Sequence, residues 1–202
     1  MAAIVMENKE LMNKDYILSH LFIEVAKKTK YADKLNEITY TYIYETDLIA
    51  IFRVRVDNGN YNGSYILTRK ICDLAGIKED ELVLDPDEWI VKTLPEMMSG
   101  LSGKPVEELD VGETIYVLTN KNAFYGSNVM FRTEILDKVA DIFGGEMWII
   151  PSSVHEILCV RKDLMSYDDA ADMIKSVNNS VVDPKEIMSD HPYCYSSEYG
   201  FI

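Results

Sequence analysis

The chain has 202 residues, 48% apolar and 27% charged, which is the composition of an ordinary globular protein and excludes a disordered one. Thirty-four acidic residues against 20 basic ones give a net charge of −14. Such a surface repels nucleic-acid phosphates, so direct nucleic-acid binding is not expected, while a basic protein partner is permitted.

No apolar run approaches the roughly 18 residues of a membrane span. The opening MAAIVMENKEL lacks the basic n-region of a signal peptide. The cysteines, Cys72, Cys159 and Cys194, are odd in number and form no CxxC. A disulfide framework or zinc ribbon is not expected, and a reducing cytoplasm fits.

In chain order, residues 7–30 read as a helix, with Leu11, Leu18, Leu21, Phe22 and Val25 on one face. Lys27, Lys28 and Lys30 then sit at its C-terminus, where cations complement the dipole. Tyr40, Tyr42 and Tyr44 alternate with Thr39, Thr41 and Ile43; a turn at Glu45-Thr46-Asp47 and the run LIAIFRVRV complete a β-hairpin. After turn residues Asp57-Asn58-Gly59-Asn60, a third strand over 64–67 pairs back. Thr68 is a natural N-cap for a helix through Ile71, Leu74 and Ala75, which Gly76 ends. Asp85-Pro86 predicts a short helix through Trp89, Ile90 and Val91, ended by Pro95. Ser99 to Pro105 reads as a linker.

The second half opens with the strand TIYVLT, 114–119, and a turn at Asn120-Lys121-Asn122. Thr133 predicts a cap for a helix with Ile135, Leu136, Val139, Ala140 and Phe143 inward, stopped by Gly144-Gly145. Two strands, MWII and HEILCV, flank a turn at Pro151 to Val154. Residues 167–177 form a helix with Ala170, Ala171, Ile174 and Val177 inward. Asp183-Pro184 opens a last helical turn, and the tail from Asp190 is irregular or extended. The order implies an α+β fold of mainly antiparallel hairpins packed with helices, as two related lobes around a shared core. The lobes span 1–98 and 114–202, with a connector over 99–113. YILTRK and YVLTNK share letters between them.

Candidate chemistry is sparse. No GxGxxG or Walker pattern is present, so no cofactor is expected. HExxH fails because Cys159 stands where the second histidine belongs. On a strand, His155 and Glu156 face opposite ways, and His155 and Cys159 lie about 13 Å apart, too far to hydrogen-bond. That favours a turn-closing histidine. The tail brings Asp190, His191 and Cys194 within five residues, types that bind metals or act as nucleophiles. No metal is assigned to them, because further ligands are lacking. Asn120, Asn122 and Tyr125 are candidates to line a small polar pocket. The tyrosine stripe reads as a cross-strand ladder rather than a base-stacking platform, since no arginine flanks it.

The stretches VLTNKNAFYGSNVM, GGEMWIIPSSVHEILCV and MSDHPYCYSSE resemble the C-terminal region of an uncharacterised bacterial family of gut anaerobes, a domain of unknown function. TDLIAIFRV and YILTRKICDLAGIKEDEL resemble its middle. The resemblance covers residues 35–198. It implies an intracellular bacterial protein and brings no catalytic residues. Family members carry a longer N-terminal region, which implies that the helix over 7–30 replaces it here. It also makes PSSVHE and SDHPYCY look like signatures that meet in space.

The leading reading is a non-enzymatic cytoplasmic protein that binds a protein partner or small ligand, as a regulator. Asn120, Asn122, Tyr125, Ser152, Ser153, Glu156 and Asp190 are its candidate binding residues. The rival is a hydrolase or metal-dependent enzyme with His155, His191 and Cys194 as catalytic residues, supported by Asp190 or Glu156. An acidic nucleic-acid mimic is a third reading.

Overall fold

A computed structural model describes residues 11–43, 45–57, 62–82, 89–105 and 115–202. The chain forms two compact units, Met1–Tyr42 with Leu48–Pro86 and Ile43–Asp47 with Asp87–Ile202. The fold is α+β, with one antiparallel sheet of four strands and one of six. Among the described residues no helix is long and apolar enough to cross a membrane.

In the first unit, α1 is only Lys14–Ser19, capped by Asn13 Oδ1, which accepts from Tyr16 N at 3.1 Å. The expected helix over 7–30 does not continue. Leu21–Lys27 is strand β1, paired along its whole length with β3, Leu48–Asp57. Ile23, Glu24, Val25 and Ala26 are all buried, so the strand is covered on both faces and shows no alternation. Its apolar residues therefore fit helical spacings equally well, and only β-branched Ile23 and Val25 hint at the strand. Residues 7–10 lie outside the described residues. Lys28–Lys34 is a 3₁₀ turn, so Lys27 to Lys30 do not terminate an α-helix. Lys30 instead reaches Glu24, at 3.4 Å.

Glu24 is only 4% exposed, and its Oε2 accepts from Arg53 Nη1 at 2.7 Å. Tyr31 donates to Oε1 at 3.0 Å, so the buried carboxylate is held from two sides.

Strands β2, Tyr40–Tyr42, and β4, Asn62–Ile66, both pair with β3, as the hairpin pattern predicts. Tyr44 and the turn residues 58–60 lie outside the described residues. Tyr40 and Tyr42 are neighbours on one strand, edge to face at 5.5 Å, and their cross-strand partners are Ile51 and Ile49. The tyrosine pair runs along the strand and is not a cross-strand ladder. Helix α2, Arg69–Ala75, has Thr68 as N-cap and Gly76 at φ 68° as C-cap, as its sequence requires.

In the second unit the expected helix at Trp89 is strand β5, Trp89–Thr93, paired with β6, Ile115–Asn120. Pro95 does not end a helix but sits in the first turn of α3, Leu94–Ser102. Proline lacks only an N–H that this turn leaves unbonded. Thr93 and Glu96 form a reciprocal capping box there, at 3.3 and 2.7 Å. The expected linker from Ser99 is the end of this helix, closed by Gly103 at φ 71°. Residues 106–113 of the expected connector lie outside the described residues.

Helix α4 is Thr133–Ile142, but Thr133 is its first residue and not its cap, which is Arg132 without a side-chain bond. Strands β7, Glu146–Ser153, and β8, Glu156–Arg161, form the expected hairpin, with the turn at Val154-His155 and Pro151 inside β7 beside a bulge. Helix α5 is Tyr167–Ser180; Ala170, Ala171 and Ile174 are buried, whereas Val177 is exposed. The tail is ordered into β9, Tyr193–Ser196, and β10, Gly200–Phe201. The sheet runs β10-β9-β7-β8-β6-β5, antiparallel throughout.

Trp148, Ile150 and Val160 pack with Ala170 and Ile174 of α5 on one face. Met147 and Ile149 point to the other, so central β7 is covered twice. Thr68 caps a helix whereas Thr119 lies within a strand, so YILTRK and YVLTNK play different structural parts.

Candidate functional site

Sequence-predicted residues gather in two places, both in the second unit. The first is the loop after β6. Asn120 is buried and its side chain shapes the loop: Oδ1 accepts from Asn122 N and Phe124 N at 3.2 Å, and Nδ2 donates to Phe124 O at 2.9 Å. Ala123 and Tyr125 take left-handed φ values of 48° and 54°, sparsely populated for residues with a Cβ. The buried Ser127 hydroxyl donates to Val154 O at 2.8 Å, fastening the loop to the β7–β8 turn.

His155 sits in that turn. Its Nδ1 accepts the Tyr125 N–H at 3.1 Å, so the neutral ring carries its proton on Nε2, which faces Glu186 Oε1 at 3.4 Å. His155 N donates to Ser153 Oγ at 3.1 Å, and His155 O accepts from Thr119 Oγ1 at 2.8 Å. Ser152 donates to Glu156 at 3.4 Å. Tyr125 and Ser153 are thus both bonded to His155, Ser152 and Glu156 are bonded to each other, and the Asn120 side chain is bonded within its own loop. Asn122 is exposed at the loop's edge. Asn128 Oδ1 is buried and has no hydrogen-bond partner among the described residues.

The second place is an open concavity of about 690 Å³, whose lining includes Glu45, Asp47, Trp148, Tyr167, His191 and Cys194. The tail positions His191 and Cys194 because β9 pairs with β7, setting Cys194 opposite Trp148. His191 Nδ1 lies 3.1 Å from Pro192 O, and Nε2 lies 3.4 Å from Asp47 Oδ1. The Tyr193 hydroxyl donates to the same Asp47 oxygen at 2.5 Å and lies 3.0 Å from Ser189 Oγ. Burial pushes the Tyr193 phenol well up, and the Asp47 carboxylate adds to it. Beside Cys194, the Lys162 ammonium is bonded to Glu146 at 2.8 Å, which holds it above its ordinary range.

His191 and Cys194 therefore share a concavity, and His155 does not line it. The PSSVHE turn meets Glu186, whose carbonyl accepts from Val154 N at 3.1 Å, and the chain then runs through SDHPYC into β9, where Tyr193 and Cys194 pair with Ile149 and Trp148 of β7. Asp190 is exposed and lies outside the lining. Among the described residues no group of three or more His, Cys, Asp or Glu is placed to hold a metal ion.

Asp47, Tyr167 and Trp148 were not legible as site residues. Asp47 reads as a turn residue and Trp148 as core; only their union with the tail, 146 residues away in the case of Tyr193, reveals them. A groove of about 380 Å³ in the first unit is lined by Arg69 and Lys78 but also by Asp73 and Glu79, so it carries both signs of charge.

No curated protein and no solved structure matches the chain. A family model does, and it includes the N-terminal stretch, so residues 7–30 are part of the family's own sequence and not a replacement for it. With residues 2–197 matched, the chain belongs to DUF5688, a family of unknown function.

Proposed function

We propose that this is a non-enzymatic binding protein of the reducing bacterial cytoplasm, acting as a regulator, and that its ligand sits in the concavity beside Asp47. One observation carries the choice over a hydrolase. The imidazole that shares this concavity with Cys194 faces Pro192 O with Nδ1 and Asp47 Oδ1 with Nε2, and among the described residues neither nitrogen is bonded to the sulfur. Nucleophilic catalysis by a thiol needs a base within hydrogen-bond reach of the sulfur, and His191 is committed elsewhere. His155 is bonded into its own loop by Tyr125 and Glu186. Three free cysteines accord with a reducing compartment, and the family resemblance supports a bacterial source.

The test is a ligand panel read by thermal shift and by the indole N–H resonance of Trp148, followed by turnover assays on each hit. A hit moves that resonance, comes through unmodified, and does so equally with Cys194→Ser. A compound consumed by the wild type and not by Cys194→Ser or His191→Ala would establish the hydrolase instead.

A further inference from the structure

The charged side chains of the lining are acidic, and the Lys162 ammonium beside Cys194 is paired with Glu146. Glu45 and Asp47 contribute carboxylates, and among the described residues no lysine or arginine lines it. Asp47 Oδ1 lies 3.4 Å from His191 Nε2 and accepts from the Tyr193 hydroxyl. Glu45 makes no hydrogen bond or ion pair among the described residues.

Its position is also fixed. Glu45 adopts φ 58°, a left-handed conformation unusual for glutamate. Thr46 closes the same turn by donating to Ile43 O from its hydroxyl at 2.8 Å and from its N–H at 3.3 Å. Residues held in such conformations concentrate at binding and switch sites.

The other wall is aromatic. Tyr167 is 48% exposed, and its ring stands edge to face with Trp148 at 6.0 Å. Trp148 is almost covered, its Nε1 donates to Met165 O at 3.0 Å, and the Lys162 ammonium lies 5.6 Å from its ring centroid. The more exposed aromatic residue of the lining is therefore Tyr167. Carboxylates and an exposed aromatic ring in one concavity attract cations, because the ring quadrupole and the full charges act in the same direction. The −14 charge of the whole chain raises the local concentration of cations further.

We infer that this concavity binds a small organic cation, an alkylammonium whose charge lies between Glu45 and Asp47 and whose alkyl groups lie on Tyr167. The inference rests on the reading of the concavity as the ligand site and adds the chemical class. A volume of about 690 Å³ leaves room for substituents well beyond a single ammonium group.

The experiment uses the full chain and three probes of one shape and different charge: choline, its uncharged isostere 3,3-dimethyl-1-butanol, and the anion 3,3-dimethylbutyrate. Binding is followed at the Trp148 indole resonance. Choline is expected to bind about tenfold or more tighter than the neutral isostere, with the anion weakest. Tyr167→Phe keeps choline affinity and Tyr167→Ala lowers it about three- to fivefold, as for a cation over an exposed ring. Glu45→Gln narrows the gap between choline and the isostere, and it leaves folding intact because this side chain makes no bond among the described residues.

Equal or tighter binding of the isostere or the anion at Trp148 overturns the cation and leaves the site standing. No movement of the resonance with any of the three probes, in a chain whose melting curve is normal, overturns both.

Discussion

A methyl group at position 126 would lie 2.3 Å from Thr119 Oγ1, 2.6 Å from Asn120 N and 2.6 Å from His155 O. Two of these are backbone atoms and cannot rotate aside. Gly126→Ala must therefore push the loop off the β7–β8 turn, at about 3 kcal/mol, the upper end for overpacking. The urea midpoint should fall with the slope unchanged. Glu24 is the opposite case, a buried charge whose removal leaves a hole in the electrostatics. Glu24→Ala strands Arg53 and should cost about 3 kcal/mol. Adding Arg53→Leu should recover part of that loss, and a double-mutant cycle measures the coupling. An isolated helix over 7–30 would have left Glu24 in water, where its truncation would scarcely register.

At the scale of the element, α3 shows how one residue can be read two ways. Pro95 is compatible with the end of one helix or the first turn of the next; the pairing of Trp89–Thr93 with β6 decides it. The bond from the Thr93 backbone N–H depresses the Glu96 carboxyl, with the Thr93 hydroxyl second. A group depressed in the folded state binds its proton less readily than in the unfolded chain. Its contribution is present above the ordinary carboxylate range and lost as pH falls through the depressed value. Glu96→Gln keeps an acceptor but no charge, so stability should decline less steeply on acidification.

Elements with local signals were legible: α2 between Thr68 and Gly76, α5 from the spacing of Ala170, Ala171 and Ile174, and the β7–β8 hairpin. Elements defined by distant partners were not. Strand β1 is made by β3 and hidden by burial on both faces, and β9 exists because β7 offers it an edge. The site follows the same rule. The sequence order holds His191 and Cys194 together, but it has no means of bringing Asp47 to Tyr193.

For the whole molecule, three buried phenols matter together. Burial pushes Tyr65, Tyr193 and Tyr195 well above the ordinary tyrosine range, with Asp47 and Asp137 adding to the last two. Tyr195 donates to Asp137 at 2.7 Å and Tyr65 to Leu11 O at 2.9 Å. Such groups stabilise the fold fully below about pH 10, where unfolded tyrosine is still protonated. Above it the unfolded chain loses protons that the folded one keeps, so stability falls by about 1.4 kcal/mol per pH unit for each phenol. Alkaline unfolding should be correspondingly steep, and Tyr195→Phe should flatten it. In a spectrophotometric titration, three of the 13 tyrosines should ionise only with unfolding.

The cysteines differ sharply in access. Cys72 and Cys159 are buried, with burial pushing both thiols up, whereas Cys194 is only half-covered at the wall of the concavity. Thiolate and access together set the rate of alkylation, so a maleimide dye should attach at one place in the native protein. The wild-type chain thus supplies its own position-specific optical reporter, and occupancy of the neighbouring space can be followed as a change in that dye's emission without engineering a residue.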